Sequence, residues 1–248
     1  MKNYVTIKMI IEDINCMQTE LLVGMPSLVA YMSFVENILL KSEISKTRSE
    51  EVFIGISRFQ YKEMYEKSSE NLNFKNGVPE RDLGLGSVNI SPKGILETEI
   101  SFDIDSDLIT FDIISKLQKT IFGLKFSGGV IKDFSVFVEK EKKLALRKMF
   151  PTFIINSDKK DYDNIDSLIA ELLVKEENKK DKNIVVSGYG FLSDISNTQN
   201  LNYDMVHGEP LYRLITKEAL TNKNILEIKG WSWDLTDSKK ISIKQKGE

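Results

Sequence analysis

The sequence predicts an α+β protein with a split βαβ, or ferredoxin-like, core on its N-terminal side. Three observations lead there. Short Val- and Ile-rich runs alternate apolar with polar residues, the period of half-buried strands. Two longer segments repeat apolar residues every three or four positions, as a helix with one buried face does. These segments follow one another as strand, helix, strand, strand, helix, strand, the βαββαβ order also used by the RNA-recognition module.

Tyr4 to Ile14 is the first strand. Gly24-Met25-Pro26-Ser27 interrupts the chain, and Pro26 suits a helix start, where its missing N–H costs nothing. Leu28, Tyr31, Met32, Val35, Ile38 and Leu39 then form one apolar face that ends near Lys41. Glu51 to Tyr61 reads as the second strand, with Val52, Ile54, Ile56 and Phe59 apolar. From Lys62 to Lys93 the pattern fails. Gly77, Pro79, Gly84, Gly86 and Pro92 punctuate a polar stretch too long for an idle connection. Ile95 to Ile104 is the third strand, with Glu97, Glu99, Ser101 and Asp103 alternating against apolar neighbours. Thr110 or Ser106 is expected to cap the second helix, with Phe111, Ile114, Leu117 and Ile121 on its apolar face, Ile113 at the margin and Gly123 as its stop. Leu124 to Val138 returns to strand, interrupted at Ser127-Gly128-Gly129.

Beyond Glu139 the signals weaken. Glu141 to Met149 reads as a short helix stopped by Pro151, and Phe153 to Ile155 as a brief strand. Asp163 caps a helix whose face is Ile165, Leu168 and Leu172, with Ile169 at its margin. Asn183 to Phe191 is a strand with a bend, Leu211 to Leu220 reads as a helix, Ile225 to Trp233 as a last strand, and the tail after Asp237 as frayed. The expected organisation is a core over residues 1–140 with a long inserted loop at 62–93, and an irregular C-terminal extension, 141–248, packed on it.

Composition excludes several classes. The chain has 248 residues, 41% hydrophobic and 29% charged, which is ordinary globular usage rather than disorder, collagen or coiled coil. Its apolar runs are far shorter than a bilayer span, and the N-terminal stretch carries charges where a signal peptide would be apolar. The lone Cys16 makes no internal disulfide, which predicts a reducing compartment, the cytoplasm. Cys16 and the single His207 leave no ligand set for a structural zinc and no two-histidine mechanism. There is no Walker loop, no dinucleotide fingerprint and no nucleophile elbow. The expectation is a binding or structural subunit, without cofactor, rather than an enzyme.

Net charge is −3, which argues against a free-standing, non-specific nucleic-acid binder. Charge is uneven, however. From Asp112 to Phe150 there are nine Lys and Arg against four Asp and Glu, the signature either of a solvated face or of a local anion-binding surface. The third strand offers Phe102 alone for base stacking, so an ordinary RNA-recognition motif is not expected. Phe126, Phe134 and Phe137 around the fourth strand read more simply as core.

Three stretches together resemble a known family. Met9 to Asn15 followed by Gly24-Met25-Pro26-Ser27-Leu28 and the helix to Val35 resembles the opening of the Csy-two family, the Cas-five-type subunit of type I-F CRISPR surveillance complexes, where Gly-Phe-Pro-Ser begins the helix. Leu124-Lys125-Phe126-Ser127-Gly128-Gly129-Val130-Ile131 is similar to the family's Arg-Leu-Ala-Gly-Gly-Ser-Ile. Leu146-Arg147-Lys148-Met149-Phe150-Pro151-Thr152-Phe153 is similar to its basic helix ending in Leu-Leu-Pro-Gly-Phe. The likeness covers most of residues 5–41 and 93–158, with Met25 and Thr152 departing from the usual Phe and Gly.

The resemblance implies a RAMP-superfamily subunit that does not cut RNA. It would grip the 5′ handle of the guide RNA (crRNA), adjoin the large subunit and the backbone RAMP subunits, and meet target DNA only through the complex. Under this reading the RNA-binding candidates are Arg58, Lys62, Arg81, Lys125, Gly128, Gly129, Lys132, Arg147 and Lys148, and the partner-interface candidates are Trp231 and Trp233. Cations position phosphates, and glycine backbone approaches them closely because no Cβ intervenes. For each cation the alternative is a plain surface position, for the glycines a turn or bulge, and for the tryptophans core packing. Two other functions stay open: an RNA endonuclease using His207, or Tyr61 or Tyr65 with Lys62, and a ferredoxin-like protein-docking module without RNA.

Overall fold

A computed structural model of the chain describes residues 2–19, 22–62, 74–75, 78–79, 92–158, 169–170, 182–192, 196–197, 204–205 and 208–247. Its elements are β1 (Lys2–Asn15), α1 (Leu28–Ser42), β2 (Val52–Tyr61), β3 (Phe74–Lys75), β4 (Val78–Pro79), β5 (Lys93–Asp105), α2 (Thr110–Phe122), β6 (Lys125–Phe126), β7 (Gly129–Glu139), α3 (Lys142–Lys148), β8 (Phe153–Ser157), β9 (Lys182–Phe191), β10 (Ser196–Asn197), β11 (Asp204–Met205), β12 (Gly208–Ala219), β13 (Trp231–Asp234) and β14 (Lys240–Gln245).

Ten strands form one antiparallel sheet in the order β13-β14-β9-β12-β8-β2-β5-β1-β7-β6, and β13 also pairs with β2. This corrects the predicted fold class. The described residues are mostly a large antiparallel sheet with few and short helices, not an α+β ferredoxin-like βαββαβ core with an irregular extension. The residues expected to be irregular continue the same sheet. β8 meets β2 at Gly55↔Ile154 and Ile56↔Phe153, and β13 meets the same strand at Trp231↔Val52. The strands β8, β12, β9, β14 and β13 therefore curl round so that both ends of the series reach β2. This joins the two ends of the series through β2, although the β2 contacts are short.

Several sequence readings change with it. Leu211–Leu220 lies in strand β12 rather than a helix, the supposedly frayed tail contains β14, and the expected strand Ile225–Trp233 is reduced to β13. On α2 the buried residues are Ile113, Leu117 and Ile121, while Phe111 is 74% exposed, so the apolar face is turned from the predicted one. Ile109, not Thr110 or Ser106, holds the N-cap position and makes no side-chain cap. Ser27 caps α1, its Oγ accepting from the Ala30 N–H at 3.1 Å, so Pro26 precedes the cap and does not lie in the first turn.

Strand alternation divides the sheet into two faces. Val5, Ile7, Met9 and Ile11 of β1 join Leu28, Tyr31, Met32, Ile113, Leu117 and Phe126 in the main core beneath α1 and α2. The fully buried Ile155, Val185, Ile215, Trp231 and Ile243 belong to that core too. The opposite face has a smaller cluster under α3, formed by Phe53, Leu146, Met149, Ile154, Leu220, Ile225 and Ile228. Cys16 is buried, and desolvation pushes its thiol up to about 11. No helix among the described residues is long and apolar enough to cross a membrane.

Candidate nucleic-acid interface

The face opposite α1 and α2 is read most simply by register. Its rows across β7, β1, β5 and β2 are Val130–Glu12–Ile95–Gln60, then Asp133–Ile10–Glu97–Arg58, then Ser135–Lys8–Glu99–Gly55, then Phe137–Thr6–Ser101–Phe53. Lys125 of β6 extends the first row, opposite Val130. The next row is Glu139–Tyr4–Asp103. α3 covers the rows of Thr6 and Lys8: Thr6 Oγ1 donates to the Ala145 carbonyl at 3.0 Å and Lys8 Nζ to the Phe150 carbonyl at 2.8 Å.

The sequence candidates fall at the two ends of this face. Arg58, Lys62, Lys125, Gly128, Gly129 and Lys132 gather where β1 ends at Glu12 to Asn15. Arg147 and Lys148 lie on α3, with Lys148 beside Glu139. Eight residues of β1 separate the rows of Tyr4 and Glu12, roughly 26 Å. The strip between them is rich in carboxylates, so it is no continuous basic track.

At the first end most charge is internally committed. Lys62 Nζ lies 2.9 Å from Asp13 and 3.9 Å from Glu12. Its hydrogen bond holds the Asp13 carboxyl below its ordinary range and raises the lysine in turn. Lys132 is the extra residue of a bulge in β7 and sits 3.7 Å from Glu12. Arg58 pairs with Glu97 at 3.4 Å and donates to Gln60 at 2.7 Å. Lys125 is exposed and has no ion pair among the described residues.

The two glycines are accounted for by the hairpin between β6 and β7. Ser127 and Gly128 have φ of 46° and 77°, the left-handed pair of a two-residue type I′ turn. A Cβ on Gly129 would stand 2.7 Å from the Glu12 carbonyl and 2.8 Å from Ile14 Cγ2. Gly129→Ala is therefore expected to destabilise the protein more than Gly128→Ala, which strains one φ by about 1 kcal/mol. Equal effects in denaturant melts would contradict this packing account.

At the second end the cations are freer. Lys140, Lys143 and Arg147 have no ion pair among the described residues. Lys148 lies 3.6 Å from Glu139 and 5.4 Å from the Phe137 ring centroid. Lys142 instead turns inward, to Glu51 at 3.4 Å and over the Phe53 ring at 4.5 Å. Ala145, Leu146 and Met149 are buried, so the apolar side of α3 anchors it and its basic side stays outward. In the sequence, Lys140 and Lys143 stand out only as members of the basic window. Their outward placement comes from the fold.

Beneath the loop that follows α3 lies a polar cluster that the sequence does not reveal. Ser57, the bulged residue of β2, has its Oγ 2.7 Å from Glu99 Oε1 and 2.8 Å from the Pro151 carbonyl. Thr152 Oγ1 donates to Glu99 Oε2 at 2.7 Å. Burial pushes the Glu99 carboxyl above its ordinary value, although Ser57, Thr152 and Lys8 act the other way. Asp103 on the same face behaves oppositely. Burial would raise it, but Ser49, the Glu51 N–H and Lys2 outweigh that and hold it low.

Because the folded value of Glu99 is raised, its contribution is full below the ordinary carboxylate range and falls as pH rises through the folded value. Glu99→Gln mimics the protonated form. Across urea melts from pH 4 to pH 8, the variant is expected to gain stability relative to the unmodified protein as pH rises. Parallel curves would show that Glu99 titrates alike in the folded and unfolded chain.

Trp231 is fully buried and its indole N–H donates to the Ile155 carbonyl at 3.0 Å. It is a core residue in this chain, which corrects its reading as a partner-interface residue. Trp233 shares its strand face and is partly buried against the same core. Arg81, Tyr65 and His207 lie outside the described residues. Tyr61 lines a cleft of about 340 Å³ together with Phe59, Lys182, Asn183 and Lys217. Desolvation raises its phenol, away from the value a general base needs, and Lys62 is turned to Asp13.

No protein-family model matches the chain, and no curated protein matches it.

Proposed function

We propose that this chain is a non-catalytic, RNA-binding subunit of a type I-F-like CRISPR surveillance complex, holding the 5′ handle of the guide RNA and joining the large subunit to the backbone subunits. The observation that best supports the reading is the outward basic side of α3. Lys143 and Arg147 of the helix, and Lys140 just before it, have no ion pair among the described residues, and Arg147 and Lys148 lie in a stretch that resembles the family's basic helix. Phosphate contacts from such residues fix the register of an RNA end without reading bases.

The role of the β6–β7 hairpin narrows to Lys125. Arg58, Lys62 and Lys132 are held by carboxylates that RNA would have to displace. The net charge of −3 suits a subunit that shares its RNA with neighbours. Target DNA is read by base pairing with the guide in this reading. The direct test is charge reversal on α3, with retention of guide RNA by the assembled complex as the readout. Loss of RNA is the expected result, and full occupancy would overturn the assigned surface.

A further inference from the structure

Among the described residues β7 is an open edge of the sheet. β1 pairs with one side of it, and β6 occupies the other side only at Gly129 and Val130. From Ile131 to Glu139 the outer side makes no backbone hydrogen bond among the described residues. An edge of that length is a template for another strand unless it is blocked. Among the described residues the blocking device is the bulge at Lys132, at one end. Along the helix side of the edge, Phe134, Val136 and Val138 are half-buried apolar residues. An added strand would cover them.

We propose that the occupant is a second copy of this chain, its β7 pairing antiparallel about a two-fold axis through Ser135. The free edge runs from residue 131 to 139, and Ser135 is its midpoint, so this register uses the whole of it. Phe134 then lies opposite the second copy's Val136, twice over, and Asp133 opposite Phe137. Ile131 and the bulged Lys132 of one copy run alongside Val138 and Glu139 of the other, which brings opposite charges together.

The competing registers are worse. Centring on Val136 sets Asp133 directly opposite Glu139, a like-charge pair. Centring on Phe134 drives Val138 and Glu139 against Val130 and Gly129, where β6 already sits. A shift by one residue sets the helix side of one copy against the opposite face of the other. In the favoured register the sheet continues across the axis from one copy to the next.

The test uses the full chain. Ser135→Cys, oxidised with copper–phenanthroline in the native state, is expected to give a covalent dimer on non-reducing electrophoresis. Asp133→Cys alone is expected to stay monomeric, and a mixture of Asp133→Cys with Phe137→Cys to cross-link. Cys16 is buried and adds little background. In sedimentation the unmodified chain should associate with rising concentration, and Val136→Lys should shift it to monomer by at least tenfold in dissociation constant. A chain that remains monomeric, or cross-linking at residue 135 no better than at 133, would overturn the proposal.

Discussion

Trp231→Ala is expected to destabilise the protein by about 3–5 kcal/mol, the range for removing a large buried aromatic side chain. The ring is fully buried and packed in the same core as Ile155, Val185, Ile215 and Ile243, and its N–H satisfies the Ile155 carbonyl. It also marks the point at which β13 meets β2, so the damage reaches the closure of the curled sheet. Trp231→Phe keeps most of the apolar volume but leaves that carbonyl without its donor, at a cost of about 1–3 kcal/mol. The order Trp, Phe, Ala in chemical denaturation checks this role. A stable Trp231→Ala protein deficient only in binding its partners would restore the interface role.

Charge reversal on α3 is the second large effect. Lys143→Glu, Arg147→Glu and Lys148→Glu together are expected to weaken binding of a handle-containing RNA by roughly 100-fold or more at low salt. They should also lower the salt-dependence slope by about 0.7 for each phosphate that is no longer neutralised. Lys132→Glu alone should have a smaller effect, because it removes one cation already paired with Glu12 at 3.7 Å, as Lys148 is with Glu139 at 3.6 Å, whereas Lys143 and Arg147 have no such pair among the described residues. All three α3 positions are at the surface or half-buried while Ala145 and Leu146 hold the helix, so stability should change little. Equal effects from α3 and from Lys132 would indicate general electrostatics rather than a site.

The contrast between the two experiments follows from where sequence patterns are informative. In the N-terminal half the apolar residues of each strand alternate onto the face toward α1 and α2, so period alone places β1, α1, β2 and β5. Glu97, Glu99, Ser101 and Asp103 do lie on the face away from α1 and α2. In the C-terminal third the curled sheet changes the rule. Leu211 to Leu220 contains Leu, Arg, Lys, Glu and Ala, good helix formers, yet its ladder with β8 and β9 overrides local propensity. β14 is polar at both ends and buries Ile243 against Trp231's core, and nothing local distinguishes it from a frayed tail. The fold class is not legible in the sequence because these pairings join residues far apart in the chain.

The candidate site shows the same division. Residue type identifies the cations, but only neighbours decide which of them are free. Lys62 and Arg58 look equivalent to Arg147 in sequence and differ by the carboxylates at Asp13 and Glu97. Phe111 looks like core because it falls at helical spacing from Ile114, and the rotation of α2 leaves it outside. Ser57, Glu99 and Thr152 carry no sequence signature at all, since a bulge in β2 brings them together.

The central claim is that the chain holds the constant end of a guide RNA. The most direct measurement is a tagged pull-down from the native cell, with sequencing of the co-purified RNA and mass spectrometry of the co-purified proteins. The expected result is a set of short RNAs that share one constant 5′ end, recovered with several CRISPR subunits. Protein partners recovered without RNA, in an association insensitive to ribonuclease, would contradict it.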